Sequence, residues 1–411
     1  MEKYKEIVQF IRTLYKQPTG IIPLHAPVFN GNEKKYLEEC IDSTYVSSVG
    51  RFVDQFEVEM ANYTGAKKAV ACVNGTSALH IALKLVGVEP GDEVITQPLT
   101  FIATANAITY CSAQPVFLDV DMDTMGLSPS KLEAWLKQNV VLKKSERSTS
   151  NAKRETPNSE LGTRNVEHET LNFEPFNKFS GRRISACLPM HTFGHPCRID
   201  EIVEICGRFH IPVVEDAAES LGSFYKKQHT GTFGKIGVLS FNGNKIVTTG
   251  GGGMLMFQNG ILAKLAKHLI TQAKVLHPWE FAHDEVGYNY RMPNINAALG
   301  LAQMEQLESF LLSKRKIAEG YKAFFQKSEI EFVNEPHGAK SNYWLNCILH
   351  RNIEERNGFL KFTNANGVMT RPAWRLMNGL PMYMNCQTDD LTNAIELAAR
   401  LTNIPSSVKK C

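Results

Sequence analysis

GVLSFNGNKIVTTGGGGM, residues 237–254, runs from a short apolar strand through a polar loop with one lysine into a row of glycines. Residues 238–241 predict a buried strand end, and Lys245 follows in the loop. A lysine in a partly buried, uncharged setting loses part of its preference for the protonated form, so its amine can attack a carbonyl. The alternative is a surface lysine in a glycine-rich hairpin, and this stretch alone does not decide between the two.

A second unit with chemical content lies upstream, where a small-residue strand predicted over 69–73 leads into a helix predicted over 78–86. Asn74, Gly75, Thr76 and Ser77 join the two elements. Backbone N–H groups at a helix start, together with a glycine and two hydroxyls, form a site for an anion such as phosphate. An ordinary helix N-cap is the alternative interpretation.

Strands and helices alternate along this part of the chain. Further strands are predicted at 94–96, 115–120, 184–188 and 211–215. This rhythm predicts an α/β fold with a mainly parallel sheet covered by helices on both faces. Ligands of such sheets sit beyond the carboxyl ends of the strands. The segment 75–77, Phe101, Asp216 and Lys245 all follow strand ends, so we expect them to share one site.

The chain divides into three predicted parts. Residues 1–22 contain an amphipathic helix that we expect to pack on a small domain, and residues 23–275 form a large domain. Residues 276–411 form a linker helix and a smaller C-terminal α+β domain. Within the large domain, residues 143–165 are almost wholly polar and predict a flexible surface insertion, because they cannot bury enough apolar surface to offset the entropy of ordering.

Composition excludes several functional classes. The net charge is +3 with acids and bases nearly balanced, which gives no electrostatic argument for binding nucleic acid or an anionic membrane. No stretch reaches the roughly 18 apolar residues that a membrane span needs, and the N-terminus does not resemble a signal peptide. Nine scattered cysteines without a CxxC pair indicate reduced thiols of a cytoplasmic protein and no metal site.

The four strand ends together match the needs of pyridoxal 5'-phosphate (PLP). Asp216 follows an apolar strand, and a buried carboxylate there needs a cation, which a protonated pyridine nitrogen supplies. Phe101 can stack on a ring, and Lys245 can bind the aldehyde carbon. Gly75, Thr76, Ser77 and Ser240 can bind a phosphate. For Asp216 alone, a helix N-cap is the competing interpretation.

Five segments carry a family resemblance. They are NGTSALHIAL (74–83), GDEVITQPLTFIATANAI (91–108), VVEDAAESLGS (213–223), SFNGNKIVTTGGGGM (240–254) and GYNYRMPNINAALGLAQ (287–303). In order and spacing they resemble the DegT–StrS family of nucleotide-sugar aminotransferases. The whole chain is most similar to the LegC-like branch and more distantly to perosamine synthases. The resemblance implies the fold type I of PLP-dependent transferases, which is that of aspartate aminotransferase.

The resemblance also implies residue roles. Lys245 would form the Schiff base with PLP, Asp216 would face the pyridine nitrogen, and Phe101 would stack on the ring. Gly75, Thr76, Ser77 and Ser240 would bind the phosphate. Asn289 would reach the phosphate of the neighbouring subunit, so the active site would need a homodimer. Many family members have Gln or His at the position of Glu219, near the phenolic oxygen, where a carboxylate must be protonated or bonded elsewhere.

The implied reaction is amino transfer from L-glutamate to a nucleotide-linked 4-keto-6-deoxy sugar for surface-glycan or nonulosonic-acid-type biosynthesis. The branch resemblance favours a UDP-linked N-acetylhexosamine derivative. Alternatives are a 3-keto-sugar aminotransferase, a GDP-perosamine synthase-like enzyme and a non-catalytic regulator on the same fold; a sugar dehydratase would have histidine in place of Lys245. Ser48, His191 and Arg371 flank the expected cleft and are candidate substrate contacts, although a core histidine and a surface arginine are equally consistent with the sequence.

Overall fold

The computed structural model describes residues 2–144 and 173–409, in which helices and strands alternate as far as the C-terminal third. The helices are α1 (Glu2–Leu14), α2 (Glu33–Asp42), α3 (Arg51–Thr64), α4 (Gly75–Leu85), α5 (Ile102–Tyr110), α6 (Pro129–Asn139), α7 (Ile199–Arg208), α8 (Gly260–Ile270), α9 (Asn294–Met304), α10 (Leu307–Phe325), α11 (Ile353–Ala365) and α12 (Thr392–Arg400).

Eighteen strands lie in the same parts of the chain. They are β1 (Lys68–Cys72), β2 (Glu93–Thr96), β3 (Gln114–Phe117), β4 (Val140–Lys144), β5 (Phe173–Asn177), β6 (Ile184–Leu188), β7 (Val214–Asp216), β8 (Phe224–Tyr225), β9 (Gln228–His229), β10 (Ile236–Ser240), β11 (Gly253–Phe257), β12 (Lys274–Val275), β13 (Ala282–His283), β14 (Glu331–Phe332), β15 (Ala339–Lys340), β16 (Asn346–Leu349), β17 (Arg371–Pro372) and β18 (Leu401–Ile404).

A large sheet in the order β1-β11-β10-β7-β6-β2-β3 organises the first part of the fold. It consists of two groups of hydrogen-bonded strands, β1-β11-β10-β7 and β6-β2-β3. The parallel bridges Cys187–Val213 and Met190–Asp216 join β6 to β7. Only β11 in this sheet runs antiparallel to its neighbours. The predicted α/β fold with a mainly parallel sheet is therefore confirmed.

Apolar side chains cover this sheet on both faces. One cluster packs β1, β10 and β11 against α4 and α8, and a second packs the same strands against α3, α9 and the start of α10. The strands are buried on both sides, which is why their sequences are nearly continuous apolar runs without alternation.

A second, antiparallel sheet lies in the C-terminal part, in the order β14-β16-β18-β17. It shares an apolar cluster with α10, α11 and the N-terminal helix α1. In that cluster Ile7, Val8 and Ile11 pack with Tyr321 and other buried residues. The apolar face of α1 is therefore covered by elements more than 300 residues away in sequence.

Positive φ angles set the limits of two elements. Helix α8 ends at Ile270, because Gln272 and Ala273 adopt positive φ angles of 61° and 50°. Strand β16 begins only at Asn346, after Tyr343 with φ 47°. Helices α6 and α11 were not predicted. The predicted insertion lies outside the described residues except for residues 143–144, which end β4, and the predicted domain limits stay predictions.

The described residues also answer the questions of membrane-spanning helices, disulfides and metal sites. Among the described helices, none combines the length and the hydropathy that crossing a bilayer requires. The eight cysteines within residues 2–144 and 173–409 are free thiols, and no group of acidic, histidine and cysteine side chains in those ranges is arranged to hold a metal ion.

The packing of α1 gives a stability prediction. Ile11 is fully buried, so Ile11→Ala should lower the free energy of unfolding by about 2–5 kcal/mol through lost burial and a cavity. Gln9→Ala, on the exposed side of the same helix, should change it by less than about 0.5 kcal/mol. Chemical denaturation followed by circular dichroism measures both values. Equal effects would show that α1 does not contribute to the core.

Candidate active site

A cavity of about 320 Å³ lies beyond the carboxyl ends of β7 and β10, facing the starts of α4 and α5. Strand β7 ends at Asp216 and β10 ends at Ser240, so both strands deliver a polar side chain to the cavity. Its lining consists of Asn74, Gly75, Thr76, Leu79, Phe101, Ala103, Met190, Asp216, Ala218, Glu219, Ser240, Asn242, Asn244, Lys245, Trp344 and Trp374.

Lys245 reaches this cavity from the loop that follows β10. Its backbone N–H donates to the carbonyl of Asn242 at 2.9 Å, which forms the turn that directs the side chain inward. Nζ lies 3.1 Å from Oε1 of Glu219 and 4.1 Å from the ring centroid of Trp344, and 11% of the side chain is exposed. The amine is therefore held in place by a carboxylate and an aromatic face. The sequence allowed either a nucleophile or a surface lysine at this position, and the burial of Lys245 excludes the surface lysine.

Asp216 is the acid of the site. Only 2% of it is exposed, and its oxygens accept hydrogen bonds from Thr104 Oγ1 at 2.7 Å and from the N–H of Ala218 at 3.1 Å. Burial raises the pKa of Asp216, and the two hydrogen bonds and the charge of Lys245 act in the opposite direction. A further cation beside this carboxylate would favour its ionised form.

Glu219 connects the lysine to the loop after β6. One oxygen accepts from Lys245, and Oε2 accepts the N–H of Phe193 at 2.9 Å. Burial raises the pKa of Glu219 to about 7, although the Lys245 ammonium and the Phe193 N–H lower it. The carboxyl group thus titrates near neutral pH while it touches the amine.

The start of α4 forms a cradle for an anion. Asn74 caps the helix by accepting the N–H of Ser77 at 2.8 Å, which leaves the preceding N–H groups at the cavity. Glycine is required twice at this junction. A Cβ on Gly75 would lie 2.9 Å from Cβ of Ser240, and one on Gly253 would lie 2.6 Å from the carbonyl carbon of Asn74. The helix dipole adds positive potential at the same place.

Aromatic side chains form the mouth of the cavity. Phe101 is 47% exposed and packs edge-on against Trp374 at 5.9 Å, while Phe193 lies 4.5 Å from Trp374. The sequence did not identify Trp374 as a residue of the site. Trp344 is 4% exposed, as a core residue would be, but it also lines the cavity.

The structure brings seven of the predicted cofactor residues into the lining and leaves two outside it. The seven are Gly75, Thr76, Phe101, Asp216, Glu219, Ser240 and Lys245. Ser77 lies one position beyond the lining, with its N–H bound to Asn74. Asn289 is exposed, on a segment that pairs with Thr271, and it is not among the residues that line this cavity.

The three predicted substrate contacts are not in the lining. The structure corrects the prediction that His191 contacts the substrate and agrees with the alternative of a core histidine. His191 is fully buried, with Nε2 3.0 Å from Glu215 and Nδ1 accepting the N–H of Cys197, so both ring nitrogens are occupied. Arg371 is exposed and donates to Asn364 and to the carbonyl of Thr370. Ser48 is half-buried in the loop that follows α2.

The residues fit PLP by their chemistry. A helix start with close-packed glycines suits its phosphate, a buried acid suits its ring nitrogen, and an adjacent lysine suits its aldehyde. Within the described residues these three groups converge on one cavity of a single chain. Among the described residues, Asp216 and Glu219 are not joined by a third histidine, cysteine or acidic side chain in an arrangement that could hold a metal ion.

Comparison with known proteins agrees with this geometry. The model of the DegT/DnrJ/EryC1/StrS aminotransferase family matches residues 28–141 and 166–410. The chain is 36% identical over 391 residues to the GDP-perosamine synthase of Caulobacter vibrioides, covering 94% of this chain and 93% of that protein. It is also 36% identical to the GDP-perosamine synthase of Escherichia coli O157:H7, with the same two coverages.

A solved structure is similar in fold. The aminotransferase TlmJ from Streptoalloteichus hindustanus superimposes with a TM-score of 0.78 at 25% sequence identity, covering 94% of each chain. The likeness extends over both sheets of this chain, since the coverage is nearly complete.

The glycine at the start of α4 gives a test of the cradle. Gly75→Ala places a methyl group against Ser240 and should weaken PLP binding at least tenfold, which corresponds to about 1.4 kcal/mol. Gly207→Ala is the matched control, because a Cβ there meets no atom within 4 Å. Titration of the PLP-free protein, followed by absorbance, measures both affinities. Unchanged binding in Gly75→Ala would place the phosphate elsewhere.

Proposed function

The chain belongs to the DegT/DnrJ/EryC1/StrS aminotransferase family and is a PLP-dependent sugar aminotransferase, and from this premise we propose the specific reaction. The proposed reaction moves an amino group from L-glutamate to the 4-keto group of a GDP-linked 4-keto-6-deoxy sugar. The observation that carries the proposal is the near full-length similarity to two GDP-perosamine synthases. Perosamine is a 4-amino-4,6-dideoxyhexose, so its precursor would be a 4-keto sugar.

The relatives favour GDP over the nucleotide expected from the sequence. The UDP-linked N-acetylhexosamine substrate followed from the LegC-like resemblance, and the similar proteins do not support that branch. The alternative of a GDP-perosamine synthase-like enzyme is now the main proposal. A non-catalytic regulator is no longer a candidate, since the chain is an enzyme of this family.

Lys245 would carry the proton transfers. The bound cofactor would supply a sink for the electron pair that remains when a carbon of the amino donor loses its proton. Lys245 Nζ is held 3.1 Å from Glu219 with 11% of its side chain exposed, and it would accept that proton as an amine and return it as an ammonium. Asp216 would hold a proton on the ring nitrogen through its buried carboxylate.

The remaining lining residues would bind and orient. The first N–H groups of α4 and the hydroxyls of Thr76 and Ser240 would bind the phosphate. Phe101 and Trp374 at the mouth offer flat apolar surfaces to a ring or sugar. These contacts would fix both ends of the cofactor. Its reactive carbon would then lie beside Lys245, and no further change of conformation would be needed before reaction.

We also propose that the working form is a homodimer. Asn289, which the family resemblance places on the neighbouring subunit's phosphate, is exposed and lies outside its own chain's cavity. Nearby large apolar side chains are also exposed. Leu276, Trp279, Phe281 and Val286 each have at least 77% of their surface accessible in the single chain. Contact with a second copy would bury this surface and bring Asn289 to the other cavity.

The proposed substrate is tested with a panel of nucleotide sugars. The purified protein, PLP and glutamate should aminate a GDP-linked 4-keto-6-deoxyhexose, detected by mass spectrometry. UDP- and dTDP-linked 4-keto sugars and a 3-keto sugar should react much more slowly. Faster amination of the UDP-linked N-acetylated sugar would overturn the nucleotide assignment, and a preference for the 3-keto sugar would overturn the position of amination.

The proposed dimer is tested by mixing inactive variants. Lys245→Ala removes the amine, and Asn289→Asp places a negative charge against the neighbour's phosphate. Refolding the two together should restore about a quarter of wild-type activity, because half of the dimers are mixed and each then has one intact site.

The matched control mixes Lys245→Ala with Asp216→Asn. Both residues line the same cavity of one chain, so no intact site can form and no activity should return. Restoration in the control, or none in the first mixture, would contradict the shared site.

A further inference from the structure

We propose that Glu219 is a proton-storing carboxyl group, ionised while the Lys245 ammonium donates to it and protonated once the Lys245 nitrogen bonds to the cofactor. The inference depends on the cofactor role of Lys245 and not on which sugar is aminated. It assigns a function to the position at which sequence reasoning found a carboxylate beside a phenolic oxygen.

Hydrogen-bond donors to Glu219 come from Lys245 and the loop after β6. Glu219 is 3% exposed, and its carboxyl oxygens have two donors, Lys245 Nζ at 3.1 Å on Oε1 and the Phe193 N–H at 2.9 Å on Oε2. An ammonium has three N–H donors and rotates freely, whereas a nitrogen bonded to an aldehyde carbon keeps at most one and is fixed in direction. Capture of Lys245 therefore removes the freely rotating ammonium that stabilises a charge on Oε1.

The carboxyl group of Glu219 cannot swing away to water. Phe193 is fully buried with φ 55°, a conformation that bulky residues rarely adopt. The hydroxyls of Ser223 and Ser341 donate to the carbonyl of the next residue, Gly194, and fix the loop. The loop holds Oε2 in place, so Oε1 stays at the cavity whatever happens to Lys245.

The charges around Glu219 favour its neutral form once the Lys245 ammonium is lost. Lys245 is the cation that faces it, and the charge of Asp216 disfavours a second negative charge there. The nearby Cys347 thiol stays neutral, because burial and Glu219 raise its pKa. Burial already raises the pKa of Glu219 to about 7 with Lys245 present. Loss of the ammonium raises this pKa further, because desolvation and Asp216 are then opposed by the Phe193 N–H alone.

The proton balance is simple. When the Lys245 ammonium bonds to the aldehyde carbon, two of its protons would leave with the carbonyl oxygen as water, and the third would bond to Oε1, so the carboxylate becomes a neutral acid. Glu219 would keep this proton during amino transfer, which leaves the Lys245 amine free to accept the proton of the amino donor. When the cofactor leaves, the O–H bond would break and an N–H bond would form at Nζ, which restores the ion pair. In the protonated form, Glu219 presents an O–H donor to the cavity, where a carboxylate would repel an anionic oxygen.

Proton uptake on cofactor binding tests the inference. PLP is added to the PLP-free protein in weakly buffered solution near pH 7.5 with an indicator dye. The wild type should take up about one proton per site more than Glu219→Gln, because glutamine cannot bind the proton. Glu57→Gln, which removes the partner of Lys267 at 2.6 Å in a half-exposed ion pair, should behave as the wild type does. Equal uptake in the wild type and Glu219→Gln would overturn the proposal.

A second measurement needs no cofactor. Lys245→Met removes the ammonium permanently, so at pH 7.5 its infrared spectrum should show the carbonyl band of a protonated carboxyl group. Lys245→Met combined with Glu219→Gln should lack this band, and Lys267→Met should never gain it. Absence of the band in Lys245→Met would overturn the proposal even if Glu219→Gln failed to fold. Neither measurement uses a sugar, so a wrong substrate assignment would leave both results unchanged.

Discussion

The close approach of α4 to the ends of β10 and β11 is the constraint on which the site depends. The helix start can meet these strands only because Gly75 and Gly253 carry no side chain. Because neither glycine has a Cβ, the N–H groups at the start of α4 can lie beside Ser240 and the loop of Lys245 at one edge of the sheet. The antiparallel direction of β11 contributes to this arrangement, because it returns the chain from the lysine loop between β1 and β10.

Electrostatics at this edge follow from the same geometry. A helix start provides positive potential on one side of the cavity, and two buried acids, Asp216 and Glu219, provide negative charge on another. Lys245 lies between the acids and the ring of Trp344. The cavity therefore has opposite poles, which suits a ligand that is anionic at one end and cationic at its ring nitrogen. A neutral ligand would gain little from this arrangement.

The sequence predicted the parallel sheet and most of the cavity because both depend on local patterns. Apolar runs followed by polar or glycine residues identify strand ends, and in a parallel sheet strand ends converge. Trp374, Trp344 and Phe193 could not be placed this way, since they arrive from loops and from the C-terminal part by tertiary contacts. His191 was misassigned for a related reason: its partner Glu215 precedes Asp216 on β7, and alternation points that side chain away from the cavity.

The cluster that unites α1 with β16 and β18 has a consequence for biosynthesis. Ile11 and Ile404 share one apolar core although nearly the whole sequence separates them. On the ribosome, the first helix emerges early with its apolar stripe uncovered and must wait until the last strand has been translated. The large sheet, whose strands lie between these elements in the chain, can form before that moment. The growing polypeptide thus carries an uncovered apolar helix during most of its synthesis, and this surface is prone to aggregate until its partners in the chain have been made.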